Sequence, residues 1–150
     1  NDAEVYMYYL KTSASFDSAH FLAGYDGKCK NIHGHRWTIE VRIQGQELQQ
    51  SGTQKGMLID FCGIKKGVRN LADEFDHALI YESGSLKPST IDALNSEDFR
   101  LIEVNFRPTA ENFAKHFYEI LSVRFGNLVN IADVTVYETP DNCAVYKGDI

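Results

Sequence analysis

The alternation of apolar and polar residues predicts two strands in the first third of the chain. Residues 5–17 carry aromatic and aliphatic side chains at most of their even positions, and aromatic residues favour strands. Residues 35–46 alternate strictly between apolar and polar side chains, which predicts a strand with one face in the core. The apolar face of this second strand carries Trp37, Ile39, Val41 and Ile43.

Two amphipathic helices are predicted in the remainder of the chain. Apolar residues recur at helical spacing from 61 to 75, directly after Asp60, whose side chain suits an N-cap. A second helix is predicted to begin after Thr109, which also suits an N-cap, and to stop at Gly126. Both helices carry one apolar face, so each is expected to pack on a sheet.

The last predicted strands cover residues 131–138 and about 143–148. Residues 82–100 are polar and are interpreted as a long connection, followed by a short extended piece. The order ββααββ predicts an α+β fold in which an antiparallel sheet has two helices on one face, formed by a single domain over 1–150. The open edges of such a small sheet favour an oligomer.

Composition and charge narrow the class of protein. The chain is 43% hydrophobic and 24% charged, and its net charge of −6 disfavours a nucleic-acid partner. Apolar runs fall short of the roughly 18–20 residues of a membrane span, and the N-terminus does not resemble a signal peptide. The three cysteines lie far apart, which favours free thiols and a cytoplasmic location.

The candidate chemistry centres on histidines between residues 16 and 43. His33 and His35 are two residues apart, so an extended chain places both imidazoles on the same side. This side is also the apolar face of the predicted strand. His20 ends the preceding extended run and can supply a third ligand. Three neutral imidazoles leave one tetrahedral position of a zinc ion (Zn²⁺) open, as in catalytic rather than structural sites.

The residues alone leave other interpretations open. Cys29, four residues before His33, can close a structural Cys/His site or act as a reactive thiol beside the metal. Glu138 lies on the buried face of its predicted strand. There its carboxylate can form a salt bridge, or it can bind a ligand that presents paired N–H groups as a guanidine does. His77 after Asp76 can be stabilised by a helix dipole or serve as a proton shuttle.

Five short features follow one another in the order and at the intervals of a known family. They are His20, Cys29 with His33-Gly34-His35, Asp76-His77, Pro108-Thr109 with Glu111, and Glu138-Thr139. From about residue 8 to 148 the chain resembles the 6-pyruvoyltetrahydropterin synthase/6-carboxytetrahydropterin synthase family. The resemblance implies the tunnelling fold (T-fold), in which ββααββ subunits join their sheets into a barrel, and a homohexamer built as a dimer of trimers.

The resemblance also implies roles for the matching residues near the histidines. His20, His33 and His35 are expected to bind zinc, and Cys29 is expected to be the base that abstracts a proton. The expected substrate is a small pterin triphosphate, 7,8-dihydroneopterin triphosphate. Lysines on both sides of Cys29 are candidates for contacting its phosphates.

Further roles are implied for residues later in the chain. Asp76 and His77 are expected to complete a proton relay, supplied by a neighbouring subunit. Glu138 is expected to anchor the pterin ring, with the region of Thr109 assisting.

The spacing between Cys29 and His33 separates the branches of the family. The three intervening residues resemble the carboxy-forming enzymes of queuosine synthesis, which release triphosphate and acetaldehyde. The expected enzyme is therefore a 6-carboxy-5,6,7,8-tetrahydropterin synthase, a zinc-dependent lyase. A 6-pyruvoyltetrahydropterin synthase, a zinc hydrolase and a non-catalytic zinc-binding oligomer remain alternatives.

Overall fold

The computed structural model describes residues 6–148, so Val5, the first residue of the predicted strand 5–17, lies outside it. The described elements are β1 (Tyr8–His20), β2 (His33–Gly45), α1 (Phe61–Phe75), β3 (Leu79–Glu82), α2 (Pro88–Ser96), β4 (Leu101–Val104), α3 (Ala110–Phe125), β5 (Asn130–Thr139) and β6 (Asn142–Tyr146). Within this part of the chain the strands form a six-stranded sheet in the order β4-β3-β1-β2-β5-β6.

The two predicted hairpins are confirmed. Strands β1 and β2 pair antiparallel over their whole length, from Tyr8 opposite Gly45 to His20 opposite His33. Strands β5 and β6 also pair antiparallel, and β5 lies against β2, so the hairpins share one continuous sheet.

The purely antiparallel sheet and the structureless connection over residues 82–100 were wrong predictions. Strands β3 and β4 extend the sheet, and both β1–β3 and β3–β4 pair parallel. Helix α2 crosses between them with Pro88 in its first turn, where its missing N–H costs nothing. Strand β4 lies within the short extended piece predicted over residues 101–106. The four residues of β3 are too few for a periodic signal, and α2 buries no residue, so neither of these elements was predicted.

The core lies between one face of the sheet and helices α1 and α3, as predicted. The sheet contributes the even positions of β1 and the odd positions of β2, including Phe16 and Trp37. Helix α1 buries one face from Ile64 to Phe75, and α3 buries another from Phe113 to Leu121. The core therefore ends where β1 and β2 end, beside His20, His33 and His35.

Both helices begin at the predicted caps. The Asp60 side chain accepts a hydrogen bond from the Cys62 N–H at 2.9 Å, and Thr109 Oγ1 accepts one from the Asn112 N–H at 3.2 Å. These contacts satisfy N–H groups that have no partner inside the helix. No helix in the described range 6–148 is long and apolar enough to cross a membrane.

The aromatic centre of this core yields a stability prediction. Phe113 is fully buried, and its ring centroid lies 5.0 Å from that of Trp37 and 5.4 Å from that of Phe117. Phe113→Ala should lower the free energy of unfolding by about 3–5 kcal/mol, because it removes apolar contacts and leaves a cavity. Urea unfolding at a fixed protein concentration measures the change.

Val123 provides the matched control on the same helix, since 82% of it is exposed. Val123→Ala should change the free energy of unfolding by no more than about 0.5 kcal/mol. Equal destabilisation by the two variants would contradict the position of the core.

Candidate metal centre and active site

The end of the β1–β2 hairpin brings the three predicted histidines together. His20 and His33 are directly opposite in the antiparallel register, and His35 follows on the same face. Their ring centroids lie 4.6–5.2 Å apart, and the Nε2 atoms of His20 and His33 are separated by 3.1 Å. With Glu138, they form a group whose possible ligand atoms all lie within 4.8 Å of one another.

Hydrogen bonds to backbone carbonyls orient two of these rings. Nδ1 of His20 lies 2.7 Å from the carbonyl oxygen of Pro108, and Nδ1 of His33 lies 2.7 Å from that of Asn31. A carbonyl only accepts, so each Nδ1 carries the proton and each Nε2 of a neutral ring presents a lone pair. Two lone pairs then face each other across 3.1 Å, an arrangement that a cation stabilises.

The third imidazole is also left without a hydrogen-bond partner. His35 Nε2 is buried and has no partner in hydrogen-bond geometry, although Glu138 Oε1 lies only 2.8 Å from it. The same oxygen is 3.7 Å from His20 Nε2. A buried polar atom without a partner is costly, so these close contacts are those expected of side chains that share an ion.

Burial keeps the imidazoles of His20 and His35 in the form that binds metals. Removal from water, with smaller contributions from the neighbouring His33 and His35, lowers the pKa of His20 from 6.5 to about 4 against the opposing hydrogen bond to Pro108. Burial also lowers the pKa of His35, against the opposing charge of Glu138. Neutral imidazoles need not release protons before they bind a metal ion.

The donor set fits a zinc ion, because imidazole nitrogens and a carboxylate oxygen are common zinc ligands. In the described part of the chain, the group that offers ligands does not include Cys29. The closed Cys/His site considered from the sequence therefore lacks its cysteine. Glu138, predicted from the sequence as a ligand anchor, lies with the histidines instead.

Cys29 lies in a single 3-10 turn, Lys28–Lys30, within the loop between β1 and β2. Cys29 is half-buried. Its backbone carbonyl accepts a hydrogen bond from the Leu22 N–H at 2.8 Å, which closes the loop. All three cysteines, including Cys62 and Cys143, are unpaired.

Asp76 and His77 form the predicted pair at the C-terminal end of α1. Nδ1 of His77 lies 2.8 Å from Asp76 Oδ2, and Asp76 Oδ1 accepts from the Asp17 N–H at 2.8 Å. The Asp17 hydrogen bond, with a further contribution from His77, lowers the pKa of Asp76. His77 adopts φ +52° and donates its own N–H to the Asp17 carbonyl at 2.6 Å.

This pair does not join the histidine cluster within one chain. Asp17 is three residues from His20 on β1, so its side chain faces the opposite side of the sheet, where it forms a bidentate ion pair with Arg36. His77 lines an open cleft of about 740 Å³ together with Arg36, and His35 of the histidine cluster lines the same cleft. Among residues 6–148, no hydrogen bond or ion pair links Asp76 or His77 to the histidine cluster.

Three residues at this cleft were missed from the sequence. Asp17 and Arg36 are cross-strand partners, and only the register of the sheet reveals their pairing. Arg100 donates hydrogen bonds to the carbonyls of Glu74 and Asp76, so it fixes the turn that carries His77. The segment 82–100, interpreted as a connection, therefore builds a wall of the cleft.

The remaining predicted residue, Thr109, lies next to the carbonyl that orients His20. Its side chain caps α3, and its N–H donates to the Arg107 carbonyl at 2.8 Å. Its predicted contact with substrate stays a prediction.

A mixed sheet with α1 and α3 on one face and a three-histidine group at the end of its central hairpin defines a T-fold protein with a candidate metal site. A family model confirms this class. The model described as 6-pyruvoyl tetrahydropterin synthase matches residues 9–149, and the chain belongs to this family.

Individual relatives agree with the family match. A protein of Haemophilus influenzae named 6-carboxy-5,6,7,8-tetrahydropterin synthase is 37% identical over 146 residues, covering 94% of this chain and 99% of the relative. The solved structure of an uncharacterized protein from Wolinella succinogenes has a TM-score of 0.81 at 20% identity, covering 96% and 99% of the two chains. The Caenorhabditis elegans 6-pyruvoyl tetrahydropterin synthase has a TM-score of 0.68 at 25% identity, covering 97% and 98%.

The lowered pKa of His20 yields a prediction about pH. In the unfolded chain, His20 takes up a proton as the pH falls below 6.5, whereas in the folded protein it does so only near pH 4. Stability from this residue is therefore present above pH 6.5 and lost as the pH falls toward 4, by about 3 kcal/mol. Urea unfolding of chelator-treated protein at pH 7 and pH 4 measures the loss.

His20→Asn is the control, because an asparagine amide can still donate to the Pro108 carbonyl but does not titrate. This variant should lose less stability than wild type over the same pH interval. Identical losses in the two proteins would contradict the buried, neutral state of His20.

Proposed function

We propose that this protein is a zinc-dependent lyase, a 6-carboxy-5,6,7,8-tetrahydropterin synthase of the queuosine pathway. Its substrate is 7,8-dihydroneopterin triphosphate, which reacts with water to give 6-carboxytetrahydropterin, triphosphate and acetaldehyde. The observation that carries the proposal is the convergence of three imidazole rings, with the buried His35 Nε2 lacking a hydrogen-bond partner, in a chain of the pterin synthase family. The name of the Haemophilus influenzae relative supports the carboxy-forming branch.

His20, His33 and His35 are the proposed zinc ligands. When bound there, zinc supplies a Lewis acid that makes the side-chain hydroxyls of the substrate more acidic. The rings arrive already oriented, because backbone carbonyls hold Nδ1 of His20 and His33. Such outer contacts normally strengthen metal affinity.

Glu138 is the proposed anchor of the pterin ring. Its side chain is 31% exposed, so a ligand can reach its carboxylate, whose paired oxygens match the N–H groups of an aminopyrimidine edge. Its Oε1 lies 2.8 Å from His35 Nε2, which supports a pterin ring held directly beside the metal ligands.

Cys29 is the proposed base, removing a proton from the substrate side chain as its thiolate. His77, oriented by Asp76, moves protons in the opposite sense while triphosphate departs. Lys28 and Lys30 flank Cys29, are exposed, and form no ion pair within residues 6–148, so they are available to the leaving phosphates.

The proposed relay comes from a second copy of the chain. Within residues 6–148, no hydrogen bond or ion pair joins Asp76 or His77 to the histidine cluster, and of that cluster only His35 lines the cleft of His77. This separation supports an assembly, proposed as the homohexamer in which sheets join into a barrel. The proposal includes a single catalytic domain over residues 1–150 and a cytoplasmic location, in keeping with the unpaired cysteines.

The main experiment incubates zinc-loaded protein with 7,8-dihydroneopterin triphosphate and identifies the pterin by mass. Wild type should form 6-carboxytetrahydropterin and acetaldehyde. Cys29→Ala should keep zinc and its oligomeric state but lose at least about 100-fold in turnover, because no other group replaces the base. Cys143→Ala, at an exposed cysteine, is the matched control and should keep wild-type activity.

The other outcomes identify the alternatives. A pyruvoyl product would move the protein to the branch named in the family description. Turnover by Cys29→Ala would favour a zinc hydrolase, and loss of zinc from this variant would favour a structural zinc site. Failure of folded, zinc-loaded wild type to release triphosphate would overturn the proposed function.

The shared active site is tested by mixing inactive subunits. Cys29→Ala and His77→Ala chains, refolded together in equal amounts, should recover about a quarter of wild-type activity, because that fraction of sites combines two intact halves. Asp76→Ala mixed with His77→Ala is the control and should recover none, since both changes damage the same half. No recovery in the first mixture would show that each chain builds its own site.

A further inference from the structure

The turn formed by residues 107–109 contacts both the candidate metal centre and the loop that carries Cys29. We infer that Arg107 in this turn is a positioning residue that holds Cys29 in place relative to the histidine cluster. The inference rests on the proposed role of Cys29 and concerns a residue that does not itself touch substrate.

The Arg107 side chain is fixed against the loop by two contacts. Its Nη2 donates a hydrogen bond to the carbonyl of Ala23 at 2.6 Å, in a partly buried position. Its guanidinium carbon also lies 5.9 Å from the ring centroid of Tyr25, within the range of a cation–π interaction. A planar guanidinium satisfies both contacts at once, which an ammonium does less well.

The loop transmits this restraint to Cys29 over a short distance. The Leu22 N–H donates to the Cys29 carbonyl at 2.8 Å, so the residue before Ala23 is tied directly to Cys29. The Tyr25 ring packs on Gly27, where an added Cβ would lie only 2.7 Å from Cε1. Contacts within the loop therefore connect the residues that Arg107 holds, Ala23 and Tyr25, to Cys29.

The same turn is tied to the metal centre and to α3. The carbonyl of Pro108 orients His20 through its Nδ1 at 2.7 Å. The carbonyl of Arg107 accepts from the Thr109 N–H at 2.8 Å and from Asn112 Nδ2 at 2.9 Å. Residues 107–109 thus contact the proposed zinc ligand His20, the loop that carries Cys29 and the start of α3. They fix these three parts relative to one another.

The consequence for catalysis is a restraint on distance. A base displaced by about 1 Å from its productive position can lose about 100-fold in rate. Removing the Arg107 side chain should therefore lower kcat, whereas the backbone carbonyl of Pro108 would still orient His20. KM and zinc content should change little.

The test reads the thiol directly. Cys62→Ser and Cys143→Ser leave Cys29 as the single cysteine of this chain. In that zinc-loaded background, Arg107→Ala should alter the rate of Cys29 alkylation by iodoacetamide at least about threefold and lower kcat about 10- to 100-fold. Arg107→Lys should recover part of both effects, because it keeps a donor on a long side chain.

Arg69→Ala, at an exposed arginine on α1, is the matched control and should leave the alkylation rate and kcat unchanged. Wild-type alkylation and turnover in Arg107→Ala would overturn the inference. Loss of zinc from Arg107→Ala and from Arg107→Lys would also overturn it, by showing that the side chain supports the metal centre. A wild type without turnover would overturn the proposed function, while the alkylation rates would still test whether Arg107 positions Cys29.

Discussion

The antiparallel pairing of β1 with β2 is the constraint on which the rest of the structure depends. Its register places His20 opposite His33 and buries Phe16 and Trp37 on the same face. A slip of one residue would turn both sets of side chains to the other face of the sheet. The contacts that stabilise the core and those that assemble the candidate metal centre are therefore specified by the same hydrogen-bond ladder.

The site makes use of the core beneath it. The Trp37 ring lies 4.8 Å from that of His20 and 5.3 Å from that of His35, so the imidazoles meet an apolar surface rather than water. Desolvation keeps the rings neutral, and it also makes partnerless nitrogens costly in a chain without a ligand. Stability and ligand binding are linked here, because an ion that satisfies these atoms also stabilises the folded state.

The two faces of the sheet divide the proposed chemistry. The histidine group lies on the face covered by helices, whereas Asp76 and His77 are held by Asp17 and Arg100 beside the open face. Strand geometry enforces this division, since neighbouring side chains on a strand point in opposite directions. The open cleft, which His35 also lines, is where the described chain leaves His77 accessible.

Much of this was determined by the sequence alone, because the periodicity of apolar residues reports burial directly. It specified the two hairpins, the two long helices with their caps at Asp60 and Thr109, and the pairing of His33 with His35. Tertiary structure alone decided the rest. Strand β3 is too short for a pattern, and its parallel pairing with β1 and β4 depends on the arrangement of the sheet. The Asp17–Arg36 pair depends on register, and Glu138 meets the histidines only because β5 lies beside β2. Contacts between distant segments leave no local signal, since they arise from the packing of the sheet as a whole.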